Sequence, residues 1–456
     1  MIYRSERGKI RMMLAGDAMP ARRLSPFDEP DYLALMELFR GADIGFANLE
    51  TTVREPHEGA PIATQGTPMS TPPALLDELK WFGIGMMSCA NNHATDWGLD
   101  GLAAMLRHLR AHAMPAAGAG LTLAEALRPA YVDTAAGRVA LLAATTFFPA
   151  WARAAEQRRD APGRPGVNAL AFSNSYTVDE AAYAALDGIA RRLGFTQHRK
   201  RLRKMFFSAL EAPEDNSGEI HFLGERFVRG DAFAIATRAN PRDAEANLRW
   251  IAEARRQADW IVFSLHSHEF GTAGRLEAET YVGMEEPAQF AADFARAAID
   301  AGADVVVGHG PHLTMGVELH KGRPIFHSLG NFIFQNDNMQ VVPAESYARF
   351  GLDERATPSD FLDARTGNET RGFPAEAEYW HGIAASCEFS GGRLAQVRLH
   401  PLDLGAGLSR AQRGRPVLAR GAVADAILSR VRRLSARHGT EIVIEGETAV
   451  VRLGGG

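Results

Sequence analysis

The chain has 456 residues, of which 46% are hydrophobic, and 50 Lys and Arg stand against 55 Asp and Glu for a net charge of -5. This length holds two or three average domains, or one large α/β core with insertions, and the apolar content is enough to fill it. The near-balance of charge gives no reason to expect nucleic acid as a partner. The two cysteines, Cys89 and Cys387, have no metal-type spacing and read as reduced thiols. Neither a cleavable signal pattern nor a run of about 18 apolar residues is found, so a cytoplasmic chain without a membrane span is expected.

Short β-type runs alternate with longer helical patterns. Ile10–Ala15 reads as a strand, Asp31–Arg40 as a helix, Ile44–Ala47 as a strand, Pro73–Trp81 as a helix and Ile84–Met87 as a strand. A helix over Leu99–His112 and a strand over Val139–Ala144 follow. Further on, Ala244–Ala258 and Pro287–Ala301 are helical, and Trp260–Leu265 and Asp304–Val307 are strands. This cadence predicts a buried sheet covered by helices. From about Ala155 to Ala239 the cadence breaks: the stretch carries amphipathic helix patterns, with no clear strand before Ile220–Phe227. Its basic run His198–Lys204 reads as a solvated helix face. A hairpin over Gly382–Pro401 turning at Gly391-Gly392, then a helix and a short β pair, close the chain. The expected organisation is a core of residues 1–154 and 240–405, an inserted and largely helical subdomain at 155–239, and a tail at 406–456 packed on the core.

Five polar clusters each follow directly on an apolar strand. They carry Asp17; Asn48 and Glu50; Asn91, Asn92, His93 and Asp96; His266, His268 and Glu269; and His309 with His312. Loops at the carboxyl ends of parallel strands form the ligand crevice of such sheets. Carboxylates, asparagine carbonyls and neutral imidazoles make a mixed N/O donor set suited to one or two divalent ions, with Mn, Zn, Fe or Co foremost. The nearest thiol, Cys89, sits at a strand end, which argues against a closed thiolate zinc site. Each residue also has a plainer reading. Asp17 could cap a turn, Asn48 and Glu50 could brace a loop, and Asn91 reads as a turn residue. His268 is open between ligand and pocket wall, Glu269 between general acid or base and a salt bridge with Arg275, and Asn331 reads as a loop brace.

The segments Gly16-Asp17-Ala18-Met19, Asn48-Leu49-Glu50, Ala90-Asn91-Asn92-His93, Ser264-Leu265-His266, Gly308-His309-Gly310-Pro311-His312 and His327-Ser328-Leu329-Gly330-Asn331-Phe332 together resemble the signature set of the capsule-synthesis CapA family. These are bacterial poly-γ-glutamate synthesis or capsule proteins, similar in fold to the calcineurin-like metallophosphoesterases. The resemblance runs from residue 10 to about 335, and more loosely into the closing hairpin and tail. It implies a four-layer αββα sandwich with its site at one edge. It also implies metal ligation by Asp17, Glu50, Asn92, His266, His309 and His312, with His93 as the catalytic or metal-supporting histidine. Asp96 would then hold the His93 imidazole, an arrangement common beside metals. The wider superfamily has a histidine two residues after the first aspartate, where this chain has Met19, as is usual in the CapA group. The expected activity is hydrolysis by metal-activated water of an amide bond, γ-glutamyl in particular, in a small or oligomeric substrate. Phosphoester cleavage and a non-catalytic accessory role in polymer synthesis stand as alternatives.

Overall fold

A computed structural model describes residues 8–63, 66–205, 218–271, 284–453 and the backbone of 274–275. The fold is mixed α/β and divides into two compact units. The first comprises Met1–Ala171, Pro241–Glu269 and Phe294–Gly456, and the second Phe172–Asn240 and Phe270–Asp293.

Two large sheets build the first unit. Along the ten-stranded sheet the main path is Ile442–Glu445, Thr448–Val451, Arg393–Asp403, His381–Ser390, Lys9–Met19, Ile44–Leu49, Met86–Ser88 and Ala116–Ala117. The strand Asn331–Phe334 also pairs with Lys9–Met19, and Val417–Leu418 with Arg393–Asp403. The six-stranded sheet runs Val317–His320, Arg323–Phe326, Val305–His309, Trp260–His266, Gly137–Thr145 and Ala130–Thr134. Its four inner strands are parallel and its edge strands antiparallel. Trp260–His266 is buried at every position, which explains its unbroken apolar run: a central parallel strand is covered on both faces.

Strand periodicity decides what packs where. Met12 and Leu14 share one buried cluster with Phe46 and Met86 of the larger sheet, and with Leu141, Val262, Val305 and Val307 of the smaller. Met13 and Ala15, pointing to the opposite face, pack with Leu35, Phe39, Leu79, Phe82, Leu102 and Met105 of the helices Pro30–Arg40, Leu75–Phe82 and Gly98–Ala111. The C-terminal helix Gly421–Ala436 adds Ala424, Ile427, Leu428 and Val431 to the first cluster. Among the described residues no helix is long and apolar enough to cross a membrane.

Most elements agree with the sequence reading to within a few residues, and the hairpin turns at Gly391 and Gly392, both at positive φ. Two differences have clear causes. The stretch expected to be largely helical is mixed: the second unit holds a five-stranded sheet in the order Glu219–Phe222, Glu225–Arg229, Phe172–Val178, Ala234–Ala239 and Gly274–Arg275, with the helices Glu180–Arg192 and Phe195–Met205. Its central strand, FSNSYTV, is only half-buried and rich in Ser and Asn, so it lacks an apolar signal. The stretch Asn336–Phe373, whose richness in Pro, Asp and Arg suggests a loop, contains the helices Ala344–Arg349 and Pro358–Thr366. The second of these starts with a capping box between Thr357 and Asp360, a signal present in the sequence as Thr-Pro-Ser-Asp.

Candidate metal centre

At its carboxyl end the strand Lys9–Met19 lies between two parallel neighbours, and its register sets Asp17 opposite Asn48 on one side and Asn331 on the other. Both pairings shift register at this point, an irregularity of the kind that re-aims a side chain at a strand end. In the smaller sheet His266 lies opposite His309 and Thr145. The short turn Asn92–Thr95 follows the strand Met86–Ser88 and brings in Asn92 and His93. Carboxyl ends of strands thus supply the whole set.

Backbone approach is tight here. The Asp17 N–H donates to the Gly330 carbonyl at 3.0 Å, and a Cβ on Gly16 would overlap that same carbonyl oxygen. Gly16→Ala is therefore expected to cost more than about 2 kcal/mol and to displace Asp17; chemical denaturation measures the first and ion binding the second. His312 sits at φ 60, an unusual backbone state for a residue with a side chain.

The imidazole of His266 is central. Its Nδ1 is 2.9 Å from His309 Nδ1 and 3.8 Å from Asp17 Oδ1. Its Nε2 is 2.8 Å from Asn92 Oδ1, 3.0 Å from His268 Nε2 and 3.5 Å from Glu50 Oε1. Asp17 further approaches His309 Nδ1 at 3.3 Å through Oδ1 and His312 Nδ1 at 3.6 Å through Oδ2. Glu50 Oε2 is 3.9 Å from His312 Nδ1. Three overlapping groups of ligand atoms result: Asp17, His266 and His309; Glu50, His266 and His268; and Asp17, Glu50 and His312.

Surrounding residues hold these donors in place. Asn91 donates to Asn48 Oδ1 and to the Leu49 carbonyl, and Asn48 donates to Asp17 Oδ1 at 2.8 Å. The Gly310 N–H donates to Asp17 Oδ2 at 2.9 Å. Ser264 Oγ meets His309 Nε2 at 2.6 Å, which leaves Nδ1 facing the cluster. Asn331 Oδ1 meets His312 Nδ1 at 2.9 Å while its amide donates to the Tyr379 carbonyl, so it braces the loop as its sequence context implies. Aromatic rings wall the site, with Phe147 stacked on His268 and Phe373 edge-on to His312.

Charge and burial test whether this donor set suits a cation. Glu50 is fully buried, and neither carboxylate oxygen has a hydrogen-bond partner. Burial, then the Asp17 charge, pushes its carboxyl well above the ordinary value. Burial also pushes Asp17 upward, but its hydrogen bond to His309 and the charges of three imidazoles outweigh that and hold it ionised. Burial drives His266 well below its usual range, followed by the neighbouring His268. His268 itself falls to about 3, again through burial first and then His312. Burial thus keeps His266 and His268 as neutral imidazoles, the form that binds a divalent ion, and a bound cation would offset the cost of ionising the buried Glu50 carboxyl. The residues present fit one.

Of the residues singled out from sequence, Asp17, Glu50, Asn92, His266, His309 and His312 converge within the distances above. His93 sits at the rim, its Nε2 4.0 Å from Glu50 Oε1 and its Nδ1 2.6 Å from Asp96 Oδ2. Asp96 also accepts from the Met69 N–H, which fixes the carboxylate. Glu269 stands apart from the three ligand groups, accepting from the hydroxyls of Ser267 and Thr146; the side chain of Arg275 lies outside the described residues. His268 joins the cluster directly. Its signal was the spacing His266-x-His268 at a strand end, which sends both imidazoles to one face. The supporting role of Ser264 left no signal beyond its place in a buried strand.

The chain matches the model of the bacterial capsule synthesis protein PGA_cap over residues 11–336. It is 34% identical over 454 residues to the protein y4sH of Sinorhizobium fredii, covering 97% of this chain and 93% of that one. It is 35% identical over 123 residues to the PGA biosynthesis protein CapA of Bacillus subtilis, covering 26% and 29%. A hypothetical protein of Thermus thermophilus superposes with a TM-score of 0.37 at 12% identity, covering 86% of this chain and 99% of that one. With the family match spanning most of its length, the chain belongs to the bacterial capsule synthesis PGA_cap family.

Proposed function

We propose that this protein is a divalent-metal-dependent hydrolase of an amide bond, γ-glutamyl by preference, in a small or oligomeric substrate. Its scaffold on this reading is a four-layer αββα, metallophosphoesterase-like sandwich. The observation that carries the proposal is Glu50: a buried carboxylate with both oxygens unpartnered, facing imidazoles, is costly unless a cation sits beside it. Asp17, Glu50, Asn92, His266, His309 and His312 would hold one or two ions, with His268 beside them. A bound ion of this kind activates water and polarises the bond to be broken.

The chain's own groups supply the rest. His93 is only partly buried, and Asp96, bonded to its Nδ1, leaves Nε2 to deliver a proton to the leaving nitrogen. Beside the centre lies a cavity of about 180 Å³ lined by Arg365, Arg371, Phe373 and Tyr379 among others, with Asp337, whose carboxylate is paired with Arg413, also in its wall. Phe373 reaches from it to His312. Two guanidinium groups there suit a substrate that carries carboxylates. The name of the Bacillus subtilis relative, a PGA biosynthesis protein, supports the γ-glutamyl choice. The carboxylate, imidazole and asparagine set supports phosphoester cleavage as a second reading, and the capsule-biosynthesis names of relatives support a non-catalytic accessory role as a third.

The test is a screen of γ-glutamyl amides and phosphoesters with Mn, Zn, Fe and Co supplied to chelated protein. Turnover of an amide in the presence of metal supports the proposal. Turnover of phosphoesters alone favours the second reading, and tight polyglutamate binding without turnover favours the third. In the same assay His93→Ala is expected to retain metal and to slow turnover by about 100-fold or more, most for poor leaving groups. Equal losses on activated and unactivated substrates would remove His93 as the proton donor.

A further inference from the structure

A second group of nitrogen and oxygen donors shares no residue with the centre above. Glu318 lies on the strand Val317–His320, His327 directly follows its hairpin partner Arg323–Phe326, and His438 follows the helix Gly421–Ala436. Glu318 Oε2 is 3.1 Å from His327 Nε2 and 3.8 Å from His438 Nδ1. The two imidazole rings lie 4.5 Å apart at 34°. All three side chains are at most 10% exposed.

We propose that Glu318, His327 and His438 bind a single zinc-type divalent ion. Bonds of about 2.0–2.1 Å at tetrahedral angles put ligand atoms roughly 3.3–3.4 Å apart. The two separations from Glu318 bracket that figure, and all three ligand atoms lie within 4.8 Å of one another. Arg296 grips the same carboxylate, Nε to Oε1 at 2.7 Å and Nη2 to Oε2 at 3.1 Å. It holds the carboxylate in the orientation that turns Oε2 toward both imidazoles, the outer support that ligating carboxylates usually have.

The location gives the ion a purpose. The His327 N–H donates to the Gly316 carbonyl, joining the two arms that lead to His312 and to Asn331. Those two residues are bonded to each other in the first centre. On the other side, Val317 and Leu319 donate to Ser435 and Thr440 at the end of the C-terminal helix. An ion held by residues 318, 327 and 438 clamps that helix end to the hairpin behind the His312 loop. It is structural, and it stands or falls independently of the hydrolase reading.

The rival is a metal-free network in which a protonated His327 donates to Glu318 beside Arg296. Counting zinc on the full chain after chelation and reloading separates the two. His327→Gln and His438→Gln are each expected to lose one zinc per chain relative to the unsubstituted protein. They should also lose about 10-fold or more of the zinc concentration dependence of thermal stability that belongs to this site. A count equal to that of the unsubstituted protein in both variants would overturn the site. Should those variants fail to fold, Asp17→Asn/His309→Gln, which leaves the second group intact, is expected to keep one zinc, and retention of none would overturn the site. Loss in the second pair without loss in the first pair condemns the second site alone; the reverse condemns the first centre alone.

Discussion

Asp17→Asn is expected to strip the first centre of metal and to lower kcat/KM by about 1000-fold or more, on the order of 4 kcal/mol in transition-state stabilisation. Asp17 belongs to two of the three ligand groups, and its two oxygens face three imidazoles. An amide in its place keeps the size but removes the negative charge that a divalent ion needs. It also exchanges one acceptor for a donor, and both oxygens already accept, from Asn48 and from the Gly310 N–H. One of those bonds must break, which loosens either Asn48 or the loop carrying His309 and His312. Metal analysis and steady-state kinetics check the two losses together. Full metal content in this variant would refute the ligand role.

Glu50→Gln is expected to change the sign of its effect with metal. In metal-free protein burial holds this carboxyl against its ordinary ionisation, a cost that the always-neutral glutamine does not carry, so the substitution should raise stability by about 1–3 kcal/mol, a few degrees in Tm. With saturating metal the same substitution should lower it, because the ion's binding free energy is lost. A pH profile carries the same signature. The folded-state pKa of Glu50 is raised above its ordinary value of 4.5, so its contribution is complete below that value and is lost as pH rises through the folded one. Metal-free unsubstituted protein should therefore lose stability above about pH 4.5 more steeply than Glu50→Gln, and metal should remove the difference. Thermal melts with chelator and with Mn, across pH, measure all three effects. A Glu50→Gln protein less stable than the unsubstituted one in chelator would show that the carboxylate is satisfied without a cation.

How much of this was legible beforehand follows from where each signal resides. Buried parallel strands such as Trp260–His266 carry their burial in an unbroken apolar run, and the polar residues at their ends stand out against it. Asp17, His266 and His309 were readable for that reason. The strand Phe172–Val178 was not, because a half-buried strand of small polar residues resembles a loop. Pairwise geometry also stayed hidden: nothing in the spacing of Ser264 and His309, 45 residues apart, says that a hydroxyl fixes which ring nitrogen faces the cluster. Glu50 was visible as a carboxylate after a strand. Its lack of a hydrogen-bond partner exists only in three dimensions.

The most direct test of the central claim is an anomalous difference map from crystals of the unsubstituted protein equilibrated with manganese. One or two peaks within bonding distance of Asp17, Glu50, His266 and His309 are expected. A map with no peak there, from crystals holding manganese in excess, would contradict the claim that these side chains are a metal centre.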